Sequence, residues 1–376
     1  HTRMINVRPE LLEENFYESL KPENGPSDPI DFVSSVTQGG YYEIPSEVLR
    51  DKKVFDSNTE ISLENNIFAE AKTDSPFDER KIEGDAKVEV NLLSKELSED
   101  IAETENKAVY FYGFNVGQGD SLLLLTSNKS AYIIDGNFYN ADRADQFLRE
   151  VRRILVSHKM PLRKIKGLIV THKHIDHLRG LRYILEKNCF DIDYFFINQN
   201  YHHPTKAVFE LLNSAKAHIR KWVNVNQIFS WTEGRTKICV RNPDNTTCCR
   251  DNAPNINDSS ISLCVRYKNN LFFLTGDSGY TVLRSKFFCH LIDRKRKSLL
   301  KVSHHGSDTG TDFAILNHLL PSHAFISAGQ SKRYNHPHPP VVSLLENQVG
   351  TLNLRISKVI KKTVCYKADG RTTSVY

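Results

Sequence analysis

The sequence lacks the features that mark membrane-spanning, secreted or disulfide-rich proteins. No apolar run approaches the ~18 residues that a membrane-spanning helix needs, and no apolar signal region follows the first residues. The cysteines number seven and form no Cys-x-x-Cys pair, which argues against a disulfide framework. No internal repeat is visible either. We therefore expect a cytoplasmic protein with free thiols and no contact with a membrane.

Charge is distributed unevenly along the chain. Residues 1–107 hold 25 Asp and Glu against 12 Lys and Arg, whereas the remainder holds 20 against 38. This predicts two parts, an acidic N-terminal extension (1–107) and a basic body (108–376). The extension has the composition of a partly disordered or partner-binding segment. The basic body favours a polyanionic partner, with nucleic acid first, although the two parts could instead neutralise each other by docking.

From residue 108 onward, short apolar runs alternate with polar residues and with segments of helical periodicity. This pattern is typical of helices layered against sheets. We expect strands at 109–114, 122–126, 131–134 and 167–171, and a long helix at 205–223. Polar residues follow the strands repeatedly, so we expect the functional groups to share one rim.

The densest candidate site is the stretch 171–177, Thr-His-Lys-His-Ile-Asp-His. It offers His172, His174, Asp176 and His177 between a strand-like run and a helix-like run. Imidazole and carboxylate are the usual ligands of zinc and its first-row neighbours. A merely histidine-rich polar loop is the alternative, but four suitable residues within six positions favour a metal site.

Three later segments add ligands of the same kind at predicted strand ends. They are Asp277, the pair His304 and His305, and the pair His336 and His338. Together with the first stretch they could hold two divalent ions, zinc or manganese, with Asp277 shared between them. Such ions lower the pKa of bound water towards ~7 and so supply a nucleophile at neutral pH.

The whole set resembles the metallo-β-lactamase superfamily, whose motif is His-x-His-x-Asp-His. It is most similar to the branch that contains the hydrolase domain of the ComEC competence protein. Five segments carry the resemblance in order: 115–121 (Asn-Val-Gly-Gln-Gly-Asp-Ser), 133–136 (Ile-Ile-Asp-Gly), 274–277 (Leu-Thr-Gly-Asp), 304–307 (His-His-Gly-Ser) and 334–339 (Tyr-Asn-His-Pro-His-Pro). The resemblance covers about residues 108–366.

The resemblance implies an α/β fold, a four-layer αββα sandwich with metals at one edge of its two sheets. His172 and His174 would serve the first metal, and Asp176 and His177 the second. Asp277 would bridge, and one of His304 and His305 would complete a site while the other faces substrate. The implied catalytic residues are Asp176, His305 and His336, the last either holding a phosphate oxygen or protonating a leaving group. The implied substrate-lining or ligand-supporting residues are Gln118, Asp120, Asp135, Arg179, Ser307 and His338, with Asp135 orienting a ligand histidine.

The sequence departs from that pattern at several positions. Asn115 stands where the branch usually has Asp, and Asn137 and Arg179 stand where glycine is common. Arg179 could contact phosphate or be an ordinary surface arginine. Many superfamily members place a further ligand histidine between the first cluster and the bridging Asp. His202 and His203 are candidates for it; otherwise the first metal site has few ligands.

These observations leave three functions open. The leading one is a metal-dependent phosphodiesterase, most plausibly a nuclease. The second is a small-molecule hydrolase of the same fold, acting on a phosphoester, lactone or thioester. The third is a regulatory binding module whose acidic extension autoinhibits the basic site or binds a protein partner. Two basic groups, 294–297 and the lysines at 358, 361 and 362, either contact nucleic acid or are solvated surface charge.

Overall fold

The computed structural model describes residues 93–98, 107–198, 205–244, 256–287, 297–330, 334–369 and 373–375. The described residues from Ser94 onward belong to one compact unit. The acidic extension lies outside the described residues except for 93–98 and Lys107. Its boundary with the body and its proposed partner therefore stay predictions.

Two β-sheets form the centre of the unit. In chain order the described strands are β1 (Val109–Gly113), β2 (Leu122–Leu125), β3 (Ala131–Ile134), β4 (Lys164–Ile169), β5 (Asp191–Ile197), β6 (Lys221–Asn224), β7 (Ser230–Glu233), β8 (Thr236–Asn242), β9 (Ser262–Tyr267), β10 (Asn270–Leu274), β11 (Lys297–Lys301), β12 (His323–Ile326), β13 (Leu354–Ile356), β14 (Val364–Ala368) and β15 (Thr373–Val375). The first sheet has the order β15-β14-β1-β2-β3-β4-β5-β6, and the second β13-β12-β11-β10-β9-β8-β7. Strands β3 to β6 run parallel to one another, as do β10 to β13.

Helices cover the outer faces of both sheets. They are α1 (Ala141–Ser157), α2 (Ile175–Leu178), α3 (Leu181–Glu186), α4 (Lys206–His218), α5 (Tyr280–Phe287), α6 (Phe313–Leu319), α7 (Pro339–Val349) and α8 (Ser357–Ile360). Apolar residues of α1, α3 and α4 pack on the first sheet, and those of α5, α6 and α7 pack on the second. The predicted four-layer αββα sandwich is confirmed. Within the described ranges, no helix combines the length and the apolar character that crossing a bilayer requires.

Helix α1 shows how the sequence specifies one of these layers. Asn140 caps its first turn, because its side chain accepts a hydrogen bond from the backbone N–H of Arg143 at 3.0 Å. Phe147, Val151 and Ile154 recur at helical spacing and are buried against the first sheet. Local capping and apolar periodicity therefore both favour a helix over these residues.

The two sheets interlock through aromatic side chains. The buried ring of Phe111 on β1 lies 6.3 Å from that of Phe272 and 5.9 Å from that of Phe325, centroid to centroid, both on the second sheet. Gly113 carries no side chain because a Cβ there would come within 2.3 Å of the Phe325 ring. This contact sets how closely the sheets approach, and with it how closely their strand ends approach.

The predicted helix over 205–223 is wrong in its last part. Helix α4 ends at His218, and Lys221–Asn224 forms β6, which pairs in parallel with β5. Trp222 packs its ring 4.9 Å from that of Phe195, and Val223 is buried. Aromatic and β-branched residues suit a strand, and pairing with β5 overrides the helical periodicity.

The carboxyl ends of parallel strands from both sheets meet at one edge of the sandwich. Asp135 follows β3, Thr171 follows β4, Asp277 follows β10, His305 follows β11 and Ser327 follows β12. The shared rim predicted from the sequence is therefore present, and both sheets contribute to it.

Replacing Phe325 with alanine tests the inter-sheet contact. We expect Phe325→Ala to lower the free energy of unfolding by about 3–5 kcal/mol, because a buried ring is lost from a close-packed layer. Phe313→Ala is the matched control, since that ring is 66% exposed, and should cost no more than about 0.5 kcal/mol. Urea unfolding followed by tryptophan fluorescence measures both, and equal effects would contradict the account.

Candidate metal centre

The turn between β4 and α2 is held by one buried carboxylate. The turn carries His172, His174, Asp176 and His177. Asp135, at the end of β3, accepts hydrogen bonds from the Thr171 backbone N–H at 2.7 Å and from the Thr171 hydroxyl at 2.6 Å. These two bonds satisfy the buried carboxylate and fix where the turn leaves the sheet.

The same carboxylate orients His177. Its Oδ2 lies 2.7 Å from Nδ1 of His177, which is fully buried. This places the Nδ1 proton against Asp135 and turns Nε2 towards the Oδ2 atom of Asp277, at 3.1 Å. A hydrogen bond of this kind raises the basicity of a metal-ligating imidazole and fixes its tautomer. Asp135 thus orients His177 through this hydrogen bond, and the role of His177 as a metal ligand stays a prediction.

His305 and His304 are adjacent in sequence but point to different places. His305 donates from Nδ1 to the backbone carbonyl of Ser327 at 2.9 Å, and its Nε2 lies 3.3 Å from Oδ2 of Asp176. His304 instead contacts the hydroxyl of Thr309 at 3.3 Å. Both have positive φ angles, 54° and 47°, a conformation that ordinary residues seldom adopt. The structure therefore brings His305 to the carboxylates and leaves His304 at the rim.

Asp277 lies at the centre of the cluster. Its Oδ2 is 3.1 Å from Nε2 of His177, 3.1 Å from Nε2 of His305 and 4.0 Å from Nε2 of His172. Ligand atoms of Asp120, His177, Asp277 and His305 all lie within 4.8 Å of one another. One carboxylate oxygen facing three imidazoles is suited to sharing between two ions.

His172 and His174 form the second half of the cluster. Nε2 of His172 lies 3.0 Å from Nδ1 of His174. The Nε2 atom of His174 is buried and has no hydrogen-bond partner within the described part of the chain. A buried imidazole nitrogen left without a partner fits a metal ligand, because a structural histidine at this depth would be satisfied. The donor set therefore fits divalent metal.

Protonation divides these histidines into two groups. Burial lowers the pKa of His172, and it lowers the pKa of His174 to about 4, so both are neutral imidazoles. Although burial opposes it, Asp277 raises the pKa of His177 well above its usual value and that of His305 to about 10. The carboxylates therefore hold two protons on the cluster. A divalent ion would displace them, so its uptake releases protons.

A buried lysine completes the charge balance, and sequence reasoning missed it. Lys301, at the end of β11, is fully buried and forms an ion pair with Asp120. Its Nζ also lies 3.6 Å from Oδ1 of Asp277 and donates to the Gly276 carbonyl at 3.0 Å. Although burial opposes it, Asp120 and Asp277 raise the pKa of the lysine. The available signal was a lysine inside the apolar run Leu-Leu-Lys-Val at 299–302.

Asp120 lies behind His177 and His305. It is fully buried, and its carboxylate oxygens are 3.8 Å from Nδ1 of His177 and 3.7 Å from Nδ1 of His305. The sequence suggested two roles for Asp120, lining the substrate position or supporting a metal ligand. This placement fits the second role.

A glycine lets the 115–120 loop reach the 171–177 turn. Gly119 has a φ of +119°, and a Cβ on it would lie 2.1 Å from the backbone oxygen of Asp176. Its carbonyl accepts from the Ser327 hydroxyl at 2.6 Å, and the next N–H, of Asp120, donates to Asp176 O at 3.2 Å. Only glycine combines this backbone angle with this approach.

His336 lies over the rim of the cluster. It is 5% exposed, and its ring lies 5.4 Å from that of His304 and is stacked on Tyr334 at 5.7 Å. The side-chain amide of Gln118 donates to its Nδ1 at 3.2 Å. Burial, followed by the charges of neighbouring histidines, lowers the pKa of His336 to about 3. The ring is therefore neutral, with its proton on Nε2.

The recorded contacts of Ser307 and His338 are with the loops around them and not with the clustered carboxylates of Asp120, Asp176 and Asp277. The Ser307 hydroxyl bonds that of Thr309 at 3.0 Å. His338 accepts from the Asp308 N–H at 3.2 Å and donates to the Tyr334 carbonyl at 3.2 Å. Both side chains hold the loops around His336, and a direct contact with substrate stays a prediction.

The remaining candidates fall outside the cluster or outside the described residues. The Arg179 guanidinium lies 4.5 Å from the centre of the Tyr139 ring, and a phosphate contact stays a prediction. Lys358 donates to the His336 carbonyl at 2.6 Å, so it supports a loop. His202, His203 and most of the basic run 294–297 lie outside the described residues.

Part of the chain is similar in sequence to known proteins. The family model described as "Metallo-beta-lactamase superfamily" matches residues 115–188. Over 126 residues the chain is 32% identical to "ComE operon protein 3" of Bacillus subtilis (strain 168), a match that covers 32% of this chain and 15% of that protein. The chain thus corresponds to a small part of that relative.

Among solved structures, the chain is similar to Igni18, described as a novel metallo hydrolase from the hyperthermophilic archaeon Ignicoccus hospitalis KIN4/I. The two share 10% sequence identity with a TM-score of 0.40, over 71% of this chain and 98% of that one.

Neutralising Asp277 tests its place at the centre of the metal site. We expect Asp277→Asn to weaken binding of zinc and manganese by at least about tenfold, because the oxygen facing the imidazoles loses its charge. Asp191→Asn is the matched control, since its side chain is 69% exposed and begins β5 at the opposite end of the strands. Calorimetric titration gives both affinities, and equal affinities for the two variants would refute the placement.

The Lys301–Asp120 pair predicts a compensating double substitution. Lys301→Met leaves a buried carboxylate without its cation, which should cost about 3–5 kcal/mol of stability in metal-free protein. Asp120→Asn combined with Lys301→Met removes both charges and should recover most of that loss. Urea unfolding of the single and double variants measures the coupling, and additive losses would contradict it.

Proposed function

Residues 115–188 match the metallo-beta-lactamase superfamily, and from that premise we propose that this chain is a metal-dependent hydrolase that cleaves phosphodiester bonds in nucleic acid. The observation that carries the proposal is the Asp277 carboxylate, flanked at 3.1 Å by Nε2 of both His177 and His305. The charge of the body supports the substrate class, because 38 basic residues against 20 acidic ones attract a polyanion.

We assign metal binding and substrate binding to different residues at the rim. The side chains that would hold divalent ions, zinc or manganese, are His172, His174, Asp176, His177, Asp277 and His305. When bound, such ions polarise a phosphoryl oxygen and lower the pKa of water so that it can attack at neutral pH. Asp135 and the Ser327 carbonyl hold the Nδ1 protons of His177 and His305 away from the site, so the Nε2 atoms are the ones that would coordinate once an ion displaces their protons.

His336 is the chain's own candidate for contact with the phosphate. Gln118 donates to its Nδ1, so the neutral ring carries its proton on Nε2. A pKa of about 3 makes an imidazolium scarce at neutral pH. Of the two roles suggested by the sequence, this supports a hydrogen bond to a phosphoryl oxygen over proton transfer to a leaving group.

The test is a substrate panel with a matched pair of variants. Protein loaded with zinc or manganese is offered single- and double-stranded DNA, RNA, bis-p-nitrophenyl phosphate, a carboxylic ester and a lactone. We expect metal-dependent phosphodiester cleavage that Asp176→Ala lowers by at least about a hundredfold, as expected when a catalytic contact is lost, and that Asp191→Ala retains.

Two outcomes decide against this function. Cleavage of the ester or lactone with all phosphodiesters left intact would favour the small-molecule hydrolase. No cleavage of any substrate, before or after removal of residues 1–107, would favour the binding module. With nucleic acid as the substrate, KM should also rise steeply with salt.

A further inference from the structure

A groove of about 710 Å³ adjoins the metal centre across the 115–120 loop. Asn115 and Gly117 line the groove, while Gln118 and Asp120 of the same loop turn to the rim histidine and the ligand histidines. Helix α1 and the segment 361–363, between α8 and β14, form its other walls. The groove therefore begins where the candidate active site ends.

The walls of the groove are basic. Arg143 and Arg153 on α1 face it together with Lys361 and Lys362, and all four are exposed. The acidic residue that lines it is Glu150, which lies 3.7 Å from Arg153. Four cations against one carboxylate favour an anionic ligand with more than one charge.

One wall also offers an aromatic surface. The ring of Tyr139 is 48% exposed and lines the groove. Arg179 lies over this ring at 4.5 Å, and the hydroxyl is close to Gly117, where an added Cβ would be 3.3 Å away. The ring is thus supported by a cation and placed against the loop that separates the groove from the metal centre. An exposed ring beside cations is the arrangement on which unpaired bases stack.

We propose that this groove binds single-stranded nucleic acid next to the cleaved phosphodiester. The bases stack on Tyr139, and the phosphates contact Arg143, Lys361 and Lys362. The strand crosses the 115–120 loop between groove and metal centre. A duplex is not the ligand, because its bases are already stacked within the helix and cannot lie on the tyrosine. This inference rests on the proposed function and adds the strandedness of the substrate and a second contact region.

The test separates groove binding from general attraction to a basic protein. The groove variants are Tyr139→Ala and the double charge reversal Arg143→Glu with Lys362→Glu. The control reversal is Arg220→Glu with Lys237→Glu, and both residues are exposed. Arg220 lies beside β6, the strand at the edge of the first sheet far from β14, and Lys237 lies on β8 of the second sheet. Tyr139→Phe keeps the ring and controls for lost packing.

Binding is measured by fluorescence anisotropy with a labelled single-stranded phosphorothioate DNA 20-mer and with its duplex, in metal-free buffer. We expect both groove variants to lose about tenfold or more in affinity for the single strand, since stacking alone accounts for a factor of this order per base. Tyr139→Phe and the control reversal should stay within about threefold of the parent. The ratio of oligonucleotide cleavage to bis-p-nitrophenyl phosphate cleavage should fall in the groove variants.

Three results would overturn the inference: groove variants that bind like the parent, a control reversal that loses as much affinity as the groove reversal, or a parent that binds the duplex more tightly than the single strand. None of them depends on catalysis. A parent that binds the single strand through the groove yet cleaves no phosphodiester would sink the proposed function and leave the groove standing. Phosphodiester cleavage by the parent, with groove variants that bind the single strand as tightly as the parent, would support the proposed function and overturn the groove.

Discussion

A carboxylate buried as deeply as that of Asp277 needs compensating positive charge, and the rest of the site is arranged around this need. Two histidines and a lysine supply it. His177 and His305 each approach one oxygen at 3.1 Å, and Lys301 lies 3.6 Å from the other. Protons on the two histidines can give way to a divalent ion, whereas Lys301 is held by its own pair with Asp120. The two histidines that balance the charge of the Asp277 carboxylate are therefore also the residues that would bind a metal ion.

The sandwich makes this arrangement possible because its two sheets deliver different partners to one edge. The first sheet supplies the 171–177 turn and the Asp135 carboxylate behind it, and the second supplies Asp277, Lys301 and His305. The aromatic layer around Phe111 and the contact between Gly113 and Phe325 fix the separation of the sheets. A site spanning two sheets depends on that separation, so packing far from the rim affects the geometry of the candidate metal ligands.

The sequence was enough to single out the turn at 171–177, Asp135 and Asp277 as neighbours in one candidate site, because each follows a strand-like run and belongs to a short motif of the family that the chain resembles; the bridging role of Asp277 stays a prediction. The sequence could not identify Lys301, since a buried lysine is explained only by Asp120, which arrives from the other sheet. It could not choose between His304 and His305 either, because two positive φ angles decide which ring turns inward. The predicted end of the helix at 205–223 was wrong for a related reason: the residues of β6 form a strand because they pair with β5.

The most direct test of this account is anomalous X-ray scattering from crystals of the protein grown with zinc or manganese. The account predicts anomalous density in contact with the Asp277 carboxylate, with Nε2 of His177 and of His305 among the ligands and Lys301 still paired with Asp120. Ions bound elsewhere, with Asp277 contacting none of them, would contradict the central claim.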